Sequence, residues 1–94
     1  MPKVGTDRAA DITPEQAFAK SLKRVRTQRS ISQEELGFES GYHRTYISLL
    51  ERGKMNPSLR TILSLAAALD TPAAELIRNV ERLLVSPWRR ESSQ

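Results

Sequence analysis

The chain predicts an all-α fold, a compact bundle of five short helices, and three observations carry that prediction. Apolar residues recur at helical spacing from Phe18 to Leu84. Break-and-cap signals, Thr13-Pro14, Ser32, Asn56-Pro57-Ser58 and Asp70-Thr71-Pro72, divide that run into short lengths. Finally, 94 residues with 38% hydrophobic content suit one small domain with a modest core and no deep catalytic cleft.

Residues 1–12, MPKVGTDRAADI, show no period and read as a flexible arm. Thr13 as N-cap, Pro14 at the first helical position and Gln16 as the third residue of a capping box open helix 1. Phe18, Leu22 and Val25 give it an apolar side as far as about Arg29. Ser32-Gln33-Glu34-Glu35 is a second capping box, opening a short helix 2 with Leu36 inward. After Gly41, helix 3 buries Ile47 and Leu50 and ends at Gly53, a good residue for the left-handed C′ position. Ser58 re-caps the chain into helix 4, whose apolar side is predicted as Leu59, Ile62, Leu63, Ala66 and Leu69. Helix 5 runs from Pro72 to about Val85 with Leu76, Ile77, Val80, Leu83 and Leu84, and Pro87 ends it. The expected organisation is an arm over 1–12, a domain over 13–86 and a frayed tail over 87–94.

Several function classes drop out. With no cysteine, disulfides and cysteine metal sites are excluded, and a reducing cytoplasm is the easier fit. His43 is the only histidine, so no metal site and no metal or other cofactor is expected. No apolar run approaches the ~20 residues that span a bilayer, and no signal-peptide core follows Met1. Glu34, Glu35 and Glu39 have no histidine, cysteine or metal-ligand companions, so an enzyme is not expected.

Charge is unevenly placed. The chain carries +4, yet residues 20–60 alone carry Lys20, Lys23, Arg24, Arg26, Arg29, Arg44, Arg52, Lys54 and Arg60 against four glutamates. A basic half suits a polyanion; a solvated, Arg-rich helix face accounts for the charge alone equally well.

Gln33 to Arg52 reads as helix–turn–helix. Gly37 is small where two helix backbones must approach, and Gly41 supplies the backbone freedom of the turn. Two helices joined so briefly cross steeply rather than lie antiparallel. Here the run ISQEELGFESGYHRTYISLLERGKMNPSLRTILSLAAALDTPAAEL resembles the Cro and phage-repressor (XRE) type of DNA-binding domain. SQEEL, a turn glycine, RTYIS, ERG, NPSL and AAAL stand in unbroken order, and the resemblance covers Phe18 to about Ile77. It implies a lambda-repressor-like bundle, double-stranded DNA as partner, and a homodimer on a palindromic operator with the second helix of the motif in the major groove. Stand-alone regulators and restriction–modification controllers are similar; the alternative is an antitoxin whose main partner is a toxin protein.

The resemblance gives the side chains roles. Arg44 pairs with guanine or holds a phosphate, Thr45 and Ser48 offer hydroxyls, and Leu49 suits the thymine methyl. Tyr46 closes the core with its ring while its hydroxyl reaches a phosphate. Gln33 is expected to point outward at the start of helix 2, an anion site. Arg52, Lys54, Asn56 and Ser58 form a second backbone clamp. His43 at the N-cap of the recognition helix either caps or touches DNA. Lys20, Lys23 and Arg24 are read as solvating helix 1. Arg26 and Glu51 are expected to form a structural ion pair. Phe38, Tyr42 and Asp70 depart from the family pattern; the first two could pack on each other or on the arm. Ile77, Val80, Leu83, Leu84 and Trp88 form the expected dimer interface, the alternative being that the leucines fold back under helix 1.

Overall fold

In the computed structural model, residues 12–84 are described. They form five helices: α1 Pro14–Gln28, α2 Gln33–Ser40, α3 Arg44–Glu51, α4 Leu59–Ala68 and α5 Ala73–Leu84. Local chemistry sets most boundaries. Thr13 accepts from the Gln16 N–H while the Gln16 side chain accepts from the Thr13 N–H, and Ser32 and Glu35 repeat the exchange on α2. Ser58 caps α4 by accepting from the Thr61 N–H at 3.1 Å. The backbone turns left-handed at Gly41 (φ 87°) and Gly53 (φ 72°). Asp70 does the same at φ 53°, a conformation that is uncommon outside glycine but that aspartate and asparagine tolerate better than most. Arg29 fastens this corner by donating to the Asp70 carbonyl at 2.9 Å and the Thr71 hydroxyl at 3.2 Å.

One core joins all five helices: Phe18, Leu22 and Val25 from α1, Leu36 from α2, Ile47 and Leu50 from α3, Leu65 and Ala66 from α4 with Leu69 at its C-cap, and Leu76 from α5. Removing a fully buried leucine from water contributes roughly 1.5–3 kcal/mol, so this set supplies most of the drive to fold. Ser21, 1% exposed, donates its hydroxyl to the Leu76 carbonyl at 3.0 Å and ties α1 to α5.

Four expectations need correction or limit. On α4, Leu59 and Leu63 face outward, 71% and 52% exposed, and Leu65 takes the core position. The helix meets α2 and α5 through Ile62, Leu65, Ala66 and Leu69, and its spacing fits either assignment. Phe38 is 85% exposed and does not pack on Tyr42, which instead stacks at 5.2 Å on Tyr46 and hydrogen-bonds Thr61 at 3.0 Å. Helix 5 begins at Ala73, not Pro72. The arm over 1–12, save Ile12, and the tail over 87–94, with Trp88, lie outside the described residues.

Candidate nucleic-acid interface

The placement of α3 starts from one close approach. A Cβ on Gly37 would lie 2.5 Å from the Tyr42 carbonyl oxygen and 3.2 Å from the Arg44 backbone nitrogen. Only glycine lets the middle of α2 press against the start of α3. The N–H groups of Gly41 and Tyr42 both donate to the Gly37 carbonyl, at 2.9 and 2.8 Å, closing the turn. The α2–α3 crossing is thereby fixed by backbone contacts rather than by adjustable side chains.

At the start of α3, His43 is the N-cap, its Nδ1 accepting from the Thr45 N–H at 3.0 Å. The capping role expected of it is present, and its ring remains exposed. Arg44 and Thr45 stand exposed on the first turn. The Arg44 side chain is 65% exposed, with its Nη1 3.8 Å from Oε1 of the still more open Glu34, a pair that solvent screening leaves with little energy. Ser48 and Leu49 are half-buried one turn on. Tyr46 packs its ring against the core and Tyr42.

Behind α3 lies an ion pair. Arg26 Nε donates to Glu51 Oε2 at 2.6 Å and Nη2 donates to Oε1 at 2.9 Å, while Nη1 donates to the Ile31 carbonyl at 2.8 Å. The hydrogen bonds that Arg26 donates to Glu51 hold the Arg26 pKa above its usual value, opposed by burial and reinforced by the Glu51 charge. Gln33 joins this group, its Nε2 donating to Glu51 Oε1 at 2.9 Å. That corrects the expectation for Gln33: its side-chain donor turns inward. The Glu51 side chain is only 2% exposed, and a carboxylate so deeply buried requires donors on both oxygens.

The flanking group is more open. Arg52, Lys54, Asn56 and Ser58 are all exposed along the α3–α4 connection. The Ser58 hydroxyl is engaged in its cap and donates to Thr61 Oγ1 at 3.0 Å. Arg52 shares a shallow depression with Gln16, Ala19 and Lys20. Lys20, read from sequence as solvating helix 1, is thus a further cation at this edge; its proximity comes from α1 packing on α3 and has no signal in the sequence. Lys23 and Arg24 are exposed on α1. Of the proposed dimer residues, Val80 packs on the protein's own core, Leu84 is half-buried, and Ile77 and Leu83 are 38% and 42% exposed.

Among the described residues no group of His, Cys, Asp or Glu could hold a metal ion, and no helix is long and apolar enough to cross a membrane. The arrangement offers a cationic, hydroxyl-bearing helix start with cations at its flanks, which suits contact with bases and phosphates.

Comparison with known proteins agrees. A helix-turn-helix family model matches residues 22–76. An uncharacterized HTH-type transcriptional regulator, y4dJ of Sinorhizobium fredii, is 41% identical over 57 residues, covering 61% of this chain and 74% of its own. The control protein C.SmaI of Serratia marcescens is 40% identical over 60 residues, covering 64% of this chain and 71% of its own. Among solved structures, the restriction-modification controller C.AhdI of Aeromonas hydrophila superposes with a TM-score of 0.65 at 45% identity, covering 66% of this chain and 94% of that one. With its motif glycine, its recognition helix and its match across more than half its length, this chain belongs to the helix-turn-helix family of DNA-binding transcriptional regulators of the Cro and phage-repressor (XRE) type.

Proposed function

We propose that the protein is a sequence-specific regulator that binds a palindromic operator in double-stranded DNA as a homodimer, each copy placing α3 in the major groove. The observation that carries this reading is the Gly37 contact: it holds α3 so that Arg44 and Thr45 open its exposed first turn. Arg44 is assigned to a base edge, with Thr45, Ser48 and Leu49 completing readout. Arg52, Lys54 and Asn56, with the α2 N-terminus at Gln33 and the Tyr46 hydroxyl, are assigned to phosphates, and His43 to a contact beside its cap. One recognition helix covers too few base pairs for useful specificity, and a two-fold dimer reading two half-sites solves that. The exposed Ile77 and Leu83, with Val80, Leu84 and Trp88, are assigned to its interface.

Selection of bound sequences from random DNA, followed by anisotropy titration of the selected site at several salt concentrations, tests the reading. The selected motif should be an inverted repeat. On the order of 6–10 phosphate contacts per dimer should cost 10³–10⁵ in affinity between 50 and 200 mM salt. A flat salt response, or no enriched motif, would sink the assignment.

A further inference from the structure

A positive surface outside the recognition helix lies along α1. Two shallow depressions meet at Lys20. One holds Lys20 with Arg52 and Gln16; the other holds Lys20 with Arg24, Asn79 and Arg82. Because Lys20 lines both, they form one strip that runs from the end of α3 across α1 to α5.

Fixed contacts between helices build this strip. Gly53 has a φ of 72°, and a Cβ there would lie 3.2 Å from Gln16 Cγ, so the end of α3 rests against the first turn of α1. The Arg26–Glu51 fork pins the same two helices again. On the other side, the Ser21 hydroxyl donates to the Leu76 carbonyl and holds α5 against α1. On α1 itself Lys20 and Arg24 stand four residues apart, about 6 Å along the axis. That step covers about two phosphates of a DNA strand, which rises about 3.4 Å per nucleotide.

Little in the strip offsets its charge. Glu51 is the one acidic residue lining either depression. Its side chain is 2% exposed, and both oxygens accept from Arg26 or Gln33. Among the described residues Lys20, Arg24, Arg52 and Arg82 enter no ion pair, and Arg82 donates to the neutral Asn79 side-chain oxygen at 3.3 Å. Gln16 Oε1 accepts from the Thr13 N–H, which leaves the N–H groups of Nε2 for an outside acceptor. A row of cations with a neutral donor fits a row of phosphate oxygens. The row begins at Arg52, the residue assigned above to phosphates.

We propose that the α1 strip binds a further stretch of the DNA backbone, with Lys20, Arg24 and Arg82 taking the phosphates that continue from the one at Arg52. This rests on the DNA-binding reading and extends its contact surface beyond the helix–turn–helix and the α3–α4 connection. Such contacts add affinity and salt dependence but carry no sequence information.

Anisotropy titrations of the full chain on the selected operator, over a salt series, test this. Lys20→Gln should lower the log–log slope by about 1 per subunit, and Lys20→Gln with Arg24→Gln and Arg82→Gln by about 2–3. Lys20→Arg should keep the wild-type slope. Arg78→Gln, at an exposed α5 arginine paired with Glu75, should leave it unchanged. Cations that only solvate the helix would leave every slope alike. The motif selected from random DNA should be the same for all variants. Ethylation of operator phosphates should show which contacts are lost: those missing in Lys20→Gln should lie next to those missing in Arg52→Ala. The three strip positions are exposed, so melting temperatures should stay near wild type; if the triple variant misfolds or assembles differently, Lys20→Gln decides. A wild-type slope and ethylation pattern for Lys20→Gln, on an operator that the wild type binds, overturns the strip and leaves the DNA-binding reading standing. A wild type with no enriched motif and no salt-dependent binding overturns both.

Discussion

Arg26 of α1 and Glu51 at the end of α3 meet in a two-bond fork, Nε to Oε2 at 2.6 Å and Nη2 to Oε1 at 2.9 Å, directly behind the recognition helix. Replacing Arg26 by alanine strands a carboxylate whose side chain is 2% exposed. The expected cost is about 3–5 kcal/mol, seen in thermal melts as a fall of roughly 4–8 °C per kcal/mol for a domain this small. Replacing the pair together, Arg26→Met with Glu51→Leu, should recover most of it. Because folding raises the arginine pKa, its contribution is complete below the unfolded value and fades only as pH rises through the folded one. The cost should therefore hold from about pH 7 to about pH 10. An Arg26→Ala protein within 1 kcal/mol of wild type would refute the structural role.

Gly37→Ala should destabilise despite sitting in a helix, where alanine is ordinarily worth up to about 1 kcal/mol over glycine. The added Cβ meets the Tyr42 carbonyl at 2.5 Å, and backbone cannot swing aside, so a net loss of about 1–3 kcal/mol is expected. Operator affinity should fall with it, because relief of the clash changes the α2–α3 crossing. Gly41→Ala separates the two effects: nothing lies within 4 Å of its Cβ, but its φ of 87° is strained for alanine. It should lose about 1–2 kcal/mol with affinity nearly unchanged once folded.

His43 has two assigned roles that one pair of variants divides. His43→Ala removes the acceptor for the Thr45 N–H and should cost about 0.5–2 kcal/mol of stability. His43→Asn keeps a capping oxygen, so its melting temperature should stay near wild type while operator binding weakens. Equal affinities for His43→Asn and wild type would confine this residue to capping.

Arg44 and Arg52 should fail differently. Arg44→Ala is expected to cost about 1–3 kcal/mol on the selected operator and relax preference at one position of each half-site. Arg52→Ala should weaken all sequences alike and lower the salt slope by about 1 per subunit. Repeating the selection with each variant distinguishes them; an unchanged motif for Arg44→Ala would remove it from base readout.

The sequence by itself determined what depends on neighbours a few residues away. The capping boxes at Thr13 and Ser32, the cap at Ser58 and the left-handed turns at Gly41 and Gly53 each close within about four residues, so the residues that form them are adjacent in the chain. Leu36, Ile47 and Leu50 were equally legible, since in so short a helix–turn–helix few apolar residues are available to face inward. The Arg26–Glu51 pair was expected only through resemblance, because nothing local joins residues 25 apart.

Tertiary structure decided the rest. Period alone let Leu59 and Leu63 compete with Leu65 for the core, and only the seating of α4 against α2 and α5 turned the two leucines outward. Gln33 turned inward because a buried carboxylate from α3 needed another donor. Lys20 came to line the same depression as Arg52, while Ser21 reached Leu76 and Tyr42 reached Thr61 across the bundle. Hydrogen bonds and burial between distant segments depend on how whole helices pack, and a helical period records which residues share a face without recording what that face will meet.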